Sequence, residues 1–215
     1  ARRRTFPPSP DPHPDDEDDT LMQRSIERLA RIAAIVGGLV LTFLVILTCA
    51  SVLGRGLNTL GHSDALTSMA PGLADWLIAT GVGPINGDFE LVEAGVAFAI
   101  FAFLPVCQLY GAHATVDLFT SALPERGHRA ILAFWEVVLA GAIVLITWRL
   151  FVGMGDKMRY GETTFLLQFP VWWAYAASLV GAVVASVVGI YCAVARIIGV
   201  ATGYTPLPNE VEAEH

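Results

Sequence analysis

The apolar residues of this chain fall into four long blocks that are separated by polar segments. The blocks lie between Arg31 and Arg55, between Glu93 and His113, between Arg129 and Arg149 with Glu136 as the one interruption, and between Glu162 and Arg196. A helix of about 20 residues rises roughly 1.5 Å per residue and so covers the approximately 30 Å hydrocarbon core of a bilayer. The pattern therefore predicts four membrane-spanning helices, at about 32–54, 91–112, 130–149 and 171–195, and it excludes a soluble enzyme domain.

Two segments beside the blocks show helical signals of their own. Thr20 and Gln23 have the spacing of a capping box, so we expect a helix to begin near Leu21. In the long connection from Arg55 to Glu90, apolar positions recur at helical spacing just after Pro71 and Gly72 and predict a short amphipathic helix at the membrane interface; these positions are Leu73, Trp76 and Leu77. The predicted fold is an all-α integral membrane protein with four transmembrane helices plus short interfacial amphipathic helices.

The polar ends of the chain differ in composition from its middle. Residues 1–20 are rich in proline and acidic side chains and have little apolar surface to bury, which predicts a disordered tail. Residues 21–202 form the four-helix transmembrane domain, and residues 203–215 form an acidic C-terminal tail. The formal net charge of −7 lies almost entirely in the two tails. Since the remaining residues have balanced charges, nucleic acid is excluded as a partner.

Basic residues next to the spans predict the orientation and the lipid contacts. Arg24, Arg28 and Arg31 line one side of the helix before the first span, and an excess of Lys and Arg marks the cytoplasmic side. An even number of spans then places both termini in the cytoplasm. We expect these three arginines to bind lipid headgroups, together with Trp172 and Trp173 in an aromatic belt after Pro170.

The cysteines and histidines of this chain are not arranged to hold a cofactor or a metal. Cys49, Cys107 and Cys192 lie in three different apolar blocks and form no C-x-x-C pair. The five histidines lie outside the apolar cores, so no two of them face each other as axial ligands of a haem. We predict neither a cofactor nor a metal in this chain.

Glu136 is the one charged residue inside the four apolar blocks. A carboxylate at that depth is costly unless it is paired, protonated or reached by water. It is either a proton or cation site of a small antiporter, or a structural group that pairs with a base on a neighbouring helix or subunit or extends to the headgroups. The structural interpretation is favoured because the spans supply no second polar ligand.

Glu90 and Glu93 lie on one helical face at the start of the second span. Paired carboxylates are able to perform acid and base chemistry, but no His, Cys or Ser pattern accompanies these two. An exposed docking surface, or a bond to an arginine of a partner, is the better prediction.

Residues 87–124, GDFELVEAGVAFAIFAFLPVCQLYGAHATVDLFTSALP, resemble the small permease subunit (DctQ-like) of tripartite ATP-independent periplasmic (TRAP) transporters. The matching features are an acidic Glu-x-x-Glu start of the second span, a polar end to that span, a hydrophobic-Val-Asp segment and a Leu-Pro pair; here they are Glu90, Glu93, Gln108, 115–117, Leu123 and Pro124. Weaker similarity occurs at 52–58 and 161–175, and the resemblance extends over roughly 25–198.

The resemblance implies a role and a set of partners. Such subunits have four spans, lie in the bacterial inner membrane and bind a much larger multi-span permease that is served by a periplasmic substrate-binding protein. The system imports organic acids or related solutes, usually with sodium. Substrate and sodium bind the large subunit, which moves as an elevator while the small subunit widens its fixed scaffold. The chain is then a non-enzymatic scaffold subunit.

Several charged residues are therefore candidates for contacts with these partners. The candidates near the outer face are Arg55, Glu90 and Glu93, and those near the inner face are Asp117 and Arg126. Glu136 is a candidate for a pair between helices or subunits. Two alternatives remain open. In the first, the chain is a self-sufficient small ion-coupled exporter that works through Glu136. In the second, it is a membrane scaffold or redox-chain anchor without transport.

Overall fold

A computed structural model describes residues 14–111 and 125–202 of the chain. These residues form six α-helices and no strand: α1 (Pro14–Gly61), α2 (Asp64–Met69), α3 (Pro71–Ala79), α4 (Asp88–Leu109), α5 (Glu125–Tyr160) and α6 (Val171–Thr202). Four of them, α1, α4, α5 and α6, are long and apolar enough to cross a membrane. The all-α membrane fold that the four apolar blocks predict is confirmed.

Three of the spanning helices continue past the predicted C-terminal ends of their spans. α1 continues beyond Arg55 to Gly61, α5 continues beyond Arg149 to Tyr160, and α6 continues beyond Arg196 to Thr202. A charged side chain marks the place where a span meets the headgroups, but a long arginine extends along a helix surface without ending it. Arg55 and Arg149 are both exposed on continuous helix.

The first helix begins at Pro14, ahead of the start expected near Leu21. Proline is favoured in the first turn because its missing N–H is not needed there. The acidic residues at 15–19 follow in the turns where the helix dipole favours negative charge. Residues 14–20, which we expected to be disordered, are therefore helical. Residues 1–13 and 203–215 of the two tails lie outside the described residues.

The four long helices form an open row in the order α1, α4, α6, α5. α4 packs against α1 on one side and α6 on the other, and α1 also touches α6. Within the described residues, α5 packs against α6 alone. The row therefore differs from a closed bundle, in which every helix has two neighbours around a common axis.

Small residues let the helices of the row approach closely. A Cβ atom on Gly37 of α1 would lie 2.8 Å from Cβ of Ala102 in α4, and a Cβ on Gly181 of α6 would lie 3.0 Å from Cβ of Phe101. Ala102 is buried between these two neighbours. Close backbone approach through glycine and alanine is a main source of helix association in lipid.

A polar contact joins α5 to α6 about halfway along α6. The hydroxyl oxygens of Thr147 and Ser186 lie 2.8 Å apart, within hydrogen-bonding distance. The carbonyl oxygen of Ile143 lies 2.8 Å from the Thr147 hydroxyl, and that of Ala182 lies 2.9 Å from the Ser186 hydroxyl. The hydroxyls are thereby satisfied inside the protein, as hydrocarbon surroundings require.

The short amphipathic helix that was predicted after Pro71 is α3. Ala74 on its inner side is fully buried, and Leu77 and Ile78 lie against Gly61 at the end of α1. Its other side leaves Leu73 and Trp76 exposed. α2 was not predicted; it is a single short helix capped by the Ser63 hydroxyl, which accepts from the Leu66 amide.

The close approach of α1 and α4 makes a testable prediction. Gly37→Val should lower the free energy of unfolding by about 1–3 kcal/mol, because its side chain would overlap Ala102 in a packed interface. Thermal denaturation of the detergent-solubilised protein measures this change. Gly38→Val is the matched control, since nothing lies within 4 Å of its Cβ position. An equal loss in both variants would contradict the packing described here.

Candidate functional sites at the two ends of the helix row

Polar side chains concentrate at the two ends of the row. At the N-terminal end, the early part of α1 meets the last turn of α4 and the second half of α6 in a buried cluster of Ala30, Leu109, Val188 and Cys192. At the opposite end, the start of α4 meets the end of α1 and the connection between α5 and α6. We call that connection, residues 161–170, the hairpin, and the end that contains it the hairpin end.

An ion pair at the N-terminal end connects α5 to α6. Arg196 Nε lies 3.3 Å from Glu136 Oε2, and the side chains of Arg196 and Glu136 are 22% and 7% exposed. Of the alternatives that the sequence left open for Glu136, the structure contains the pairing with a base on a neighbouring helix. Such a pair lowers the cost of a charge within an apolar helix row.

A buried amide lies between α4 and α6. Gln108 in α4 is fully buried, and neither its Nε2 nor its Oε1 has a hydrogen-bond partner among the described residues. The side chain packs against Gly189 of α6, where a Cβ would lie 2.7 Å from Gln108 Nε2. The sequence pointed to Gln108 only through the family resemblance, because a polar residue at the end of a span is otherwise expected to reach water.

A hydrogen bond between α1 and α4 also lies at the N-terminal end. The Tyr110 hydroxyl donates to Glu27 Oε1 at 3.2 Å. The arginines that flank Glu27 along α1, Arg24, Arg28 and Arg31, are exposed. No sequence signal linked Tyr110 to Glu27, since the contact joins residues 83 positions apart.

Glu90 fastens the start of α4 to the hairpin. Its carboxylate accepts the backbone N–H of Leu166 at 2.7 Å through Oε1 and that of Leu167 at 3.0 Å through Oε2. The residue is buried, at 9% exposure. Glu90 therefore differs from the exposed docking residue that its position at the start of a span suggested, whereas Glu93, one turn later, is exposed.

Gly87 makes room for the hairpin beside Glu90. Its φ of +80° is in the left-handed region. A Cβ at this position would lie 2.5 Å from Cγ of Leu167, so the hairpin side chain occupies the space that another residue would fill. Glycine is thus required here both by the backbone conformation and by the contact.

The segment between α3 and α4 is held against the end of α1. The Ser51 hydroxyl accepts the N–H of Ile85 at 3.2 Å, and Asn58 Nδ2 donates to the carbonyl oxygen of Val82 at 3.0 Å. A Cβ on Gly54 would lie 2.2 Å from the carbonyl oxygen of Gly83, so the two backbones are in direct contact. These contacts fix the connection that follows α3.

The remaining residues that were predicted to contact partners or lipid differ in their exposure. Arg55 is exposed near the hairpin end, Trp173 is exposed, and Trp172 is half-buried at the start of α6. Asp117 lies outside the described residues, and for Arg126 the structure describes only its position in α5. Predicted partner candidates at the hairpin end are thus Arg55 and Glu93 on the surface and Glu90 in the interior.

The described residues contain no group of three or more His, Cys, Asp or Glu side chains that could hold a metal ion. The charged side chains that are buried at each end contact other parts of the chain itself: Glu136 contacts Arg196, and Glu90 contacts hairpin amides. This arrangement joins helices and fixes loops.

Comparison with known proteins gives one family. A family model described as "Tripartite ATP-independent periplasmic transporters, DctQ component" matches residues 79–199. The matched region contains all of α4 and all the described residues of α5, and it extends through most of α6. Neither the curated proteins nor the solved structures gave a significant match.

The ion pair predicts a non-additive response to mutation. Glu136→Leu and Arg196→Leu should each lower the free energy of unfolding by roughly 3 kcal/mol, because each leaves a charge in an apolar setting without its partner. The double variant should lose less than the sum of the two losses. Arg159→Leu, at an exposed position of α5, should have an effect near zero. Strictly additive losses in a double-mutant cycle, measured by denaturation in mixed micelles, would exclude the interaction.

Proposed function

The chain belongs to the DctQ component family of the tripartite ATP-independent periplasmic transporters, and from this premise we propose that it supports a larger multi-span permease as a scaffold. The permease moves as an elevator against a fixed wall that this chain widens. A periplasmic binding protein delivers an organic acid or a related solute to the permease. Import is coupled to sodium, which binds the large subunit, and the chain itself catalyses no reaction.

The observation that carries this proposal is the family match over 79–199, which extends across three of the four spans. The use of polar groups supports it. Transport sites are typically built from discontinuous helices with exposed backbone groups, whereas the described spans of this chain are continuous helices. Glu136, the candidate ion site of a self-sufficient exporter, is paired with Arg196.

The contacts with partners are assigned by exposure and charge. We assign Arg55 and Glu93 to partner contacts at the hairpin end, since both side chains are exposed. Glu90 and Glu136 have structural roles because their carboxylates contact groups of the same chain. Asp117 and Arg126 stay predictions for the opposite side of the membrane.

The proposed location is the bacterial inner membrane, with both termini in the cytoplasm. The exposed arginines before the first span, Arg24, Arg28 and Arg31, support this orientation. The hairpin end then faces the periplasm, where the binding protein delivers solute. Lipid headgroups at the two membrane surfaces contact the predicted basic and aromatic residues, Arg24, Arg28, Arg31, Trp172 and Trp173.

Coexpression with the permease tests the scaffold role. We expect a large membrane protein to copurify with this chain in a fixed ratio, and vesicles to take up solute only when both subunits and the binding protein are present. Arg55→Glu combined with Glu93→Arg should reduce the copurified amount several-fold, because both exposed charges are reversed. Asp75→Arg, at another exposed position near the hairpin end, is the control. A monomeric chain that transports solute unaided would contradict the proposal.

Accessibility labelling tests the orientation. In a background without the native cysteines, a membrane-impermeant maleimide should label Arg159→Cys in intact spheroplasts. Arg24→Cys should react only after permeabilisation, since it lies at the N-terminal end of the row. The reverse pattern would show that the termini face the periplasm.

A further inference from the structure

The tip of the hairpin exposes apolar side chains. Phe165 is 86% exposed, Leu166 47% and Leu167 40%. No charged residue occurs between Glu162 and Arg196, so the tip is continuous in composition with the uncharged span of α6. A loop that projects into water usually carries polar side chains at its tip, and this one does not.

Hydrogen bonds within the hairpin satisfy part of its backbone. Thr164 N–H donates to the carbonyl oxygen of Phe169 at 2.8 Å, and Val171 N–H donates to that of Glu162 at 3.0 Å. Phe169 N–H donates to the Thr164 hydroxyl at 3.2 Å. Internal hydrogen bonds of this kind are needed where lipid replaces water around the backbone.

Glu90 supplies acceptors for two backbone amides at the tip of the hairpin. Its two carboxylate oxygens accept from Leu166 and Leu167, one each. In contact with water these N–H groups would find partners without help from another helix. In a poorly hydrated setting, each unpaired amide would be costly. A buried carboxylate that accepts both amides is thus suited to a tip that lies in lipid.

Aromatic rings continue from the hairpin onto α6. The rings of Phe169 and Trp173 lie 5.7 Å apart, edge to face, and so do those of Trp172 and Trp173. Trp173 is 54% exposed on the first turn of the span. Tryptophan is enriched at the level of the headgroups, and the hairpin directly precedes this level along the chain.

We propose that the hairpin is a lipid anchor whose tip, Phe165 to Leu167, inserts between phospholipid headgroups and reaches the acyl chains of the leaflet at the hairpin end. Glu90 is a positioning residue that satisfies the tip amides on insertion. The conformation of Gln168 helps to fix the shape of the hairpin. Its backbone has a φ of +54°, and its Nε2 donates to the carbonyl oxygen of Phe165 at 3.0 Å. This anchor depends on the membrane fold and is independent of the proposed transport role.

Depth measurement by spin labelling tests the anchor. A nitroxide at Phe165→Cys is examined in the full complex, in vesicles of phosphatidylethanolamine and phosphatidylglycerol, with the native cysteines replaced. The nitroxide should collide with oxygen several-fold more often than with a water-soluble nickel complex. Val180→Cys, on an exposed part of α6, is the lipid reference and should give the same result. Arg159→Cys is the aqueous reference. A nickel-accessible label would overturn the proposal, and so would a label that is shielded from both reagents by a partner protein.

Substitution of Glu90 tests its positioning role with the same label. Glu90→Ala should shift the label towards the aqueous reference, because the tip amides lose both acceptors. Glu90→Gln retains one acceptor oxygen and should cause a smaller shift, which keeps the test valid if the alanine variant does not fold. Phe89→Ala, at an exposed neighbouring position, should leave the depth unchanged. An unchanged depth in both Glu90 variants would overturn the role of Glu90.

Discussion

Close contact between small residues is the constraint on which the rest of this structure depends. Lipid tails are as apolar as leucine, so burial of apolar area does little to hold spans together, and packing must do so instead. α6 supplies the largest buried share of the four spans, with Gly181 and Ala182 buried where α4 and α5 approach it. α6 contacts each of the other three spans, although α1 packs mainly against α4.

The same constraint explains how the chain uses its polar groups. In a membrane, a polar side chain must find a partner inside the protein. Thr147 finds one in Ser186, Glu136 in Arg196, and Glu90 in the amides of the hairpin. The surface that remains for lipid and for a partner is then mostly apolar along the spans, with exposed charges near the ends. This division agrees with membership of a family of membrane transport components.

The elements were largely predictable from the sequence, and their mutual contacts were not. Charge-free blocks predicted the four spans, and Pro71 and Pro170 marked the beginnings of α3 and α6, because proline is tolerated at or before a first turn. The partner of Glu90 lies 76 positions away, in a turn whose shape depends on Gly87 and Gln168. Periodicity identifies the apolar face of a helix but not the helix that this face meets, so the open row was not predictable.

The position of α5 at the edge of the row has a consequence for how this sequence varies. A helix with neighbours on two sides tolerates few substitutions, since side chains on two of its faces are packed. Among the residues that the structure describes, α5 packs against α6 alone. Many of its large side chains, such as Phe134, Trp148 and Phe151, are exposed. Neutral drift should therefore be fastest along the outward surface of α5 and slowest along α6, and a comparison of natural variants would show this as a gradient across the four spans.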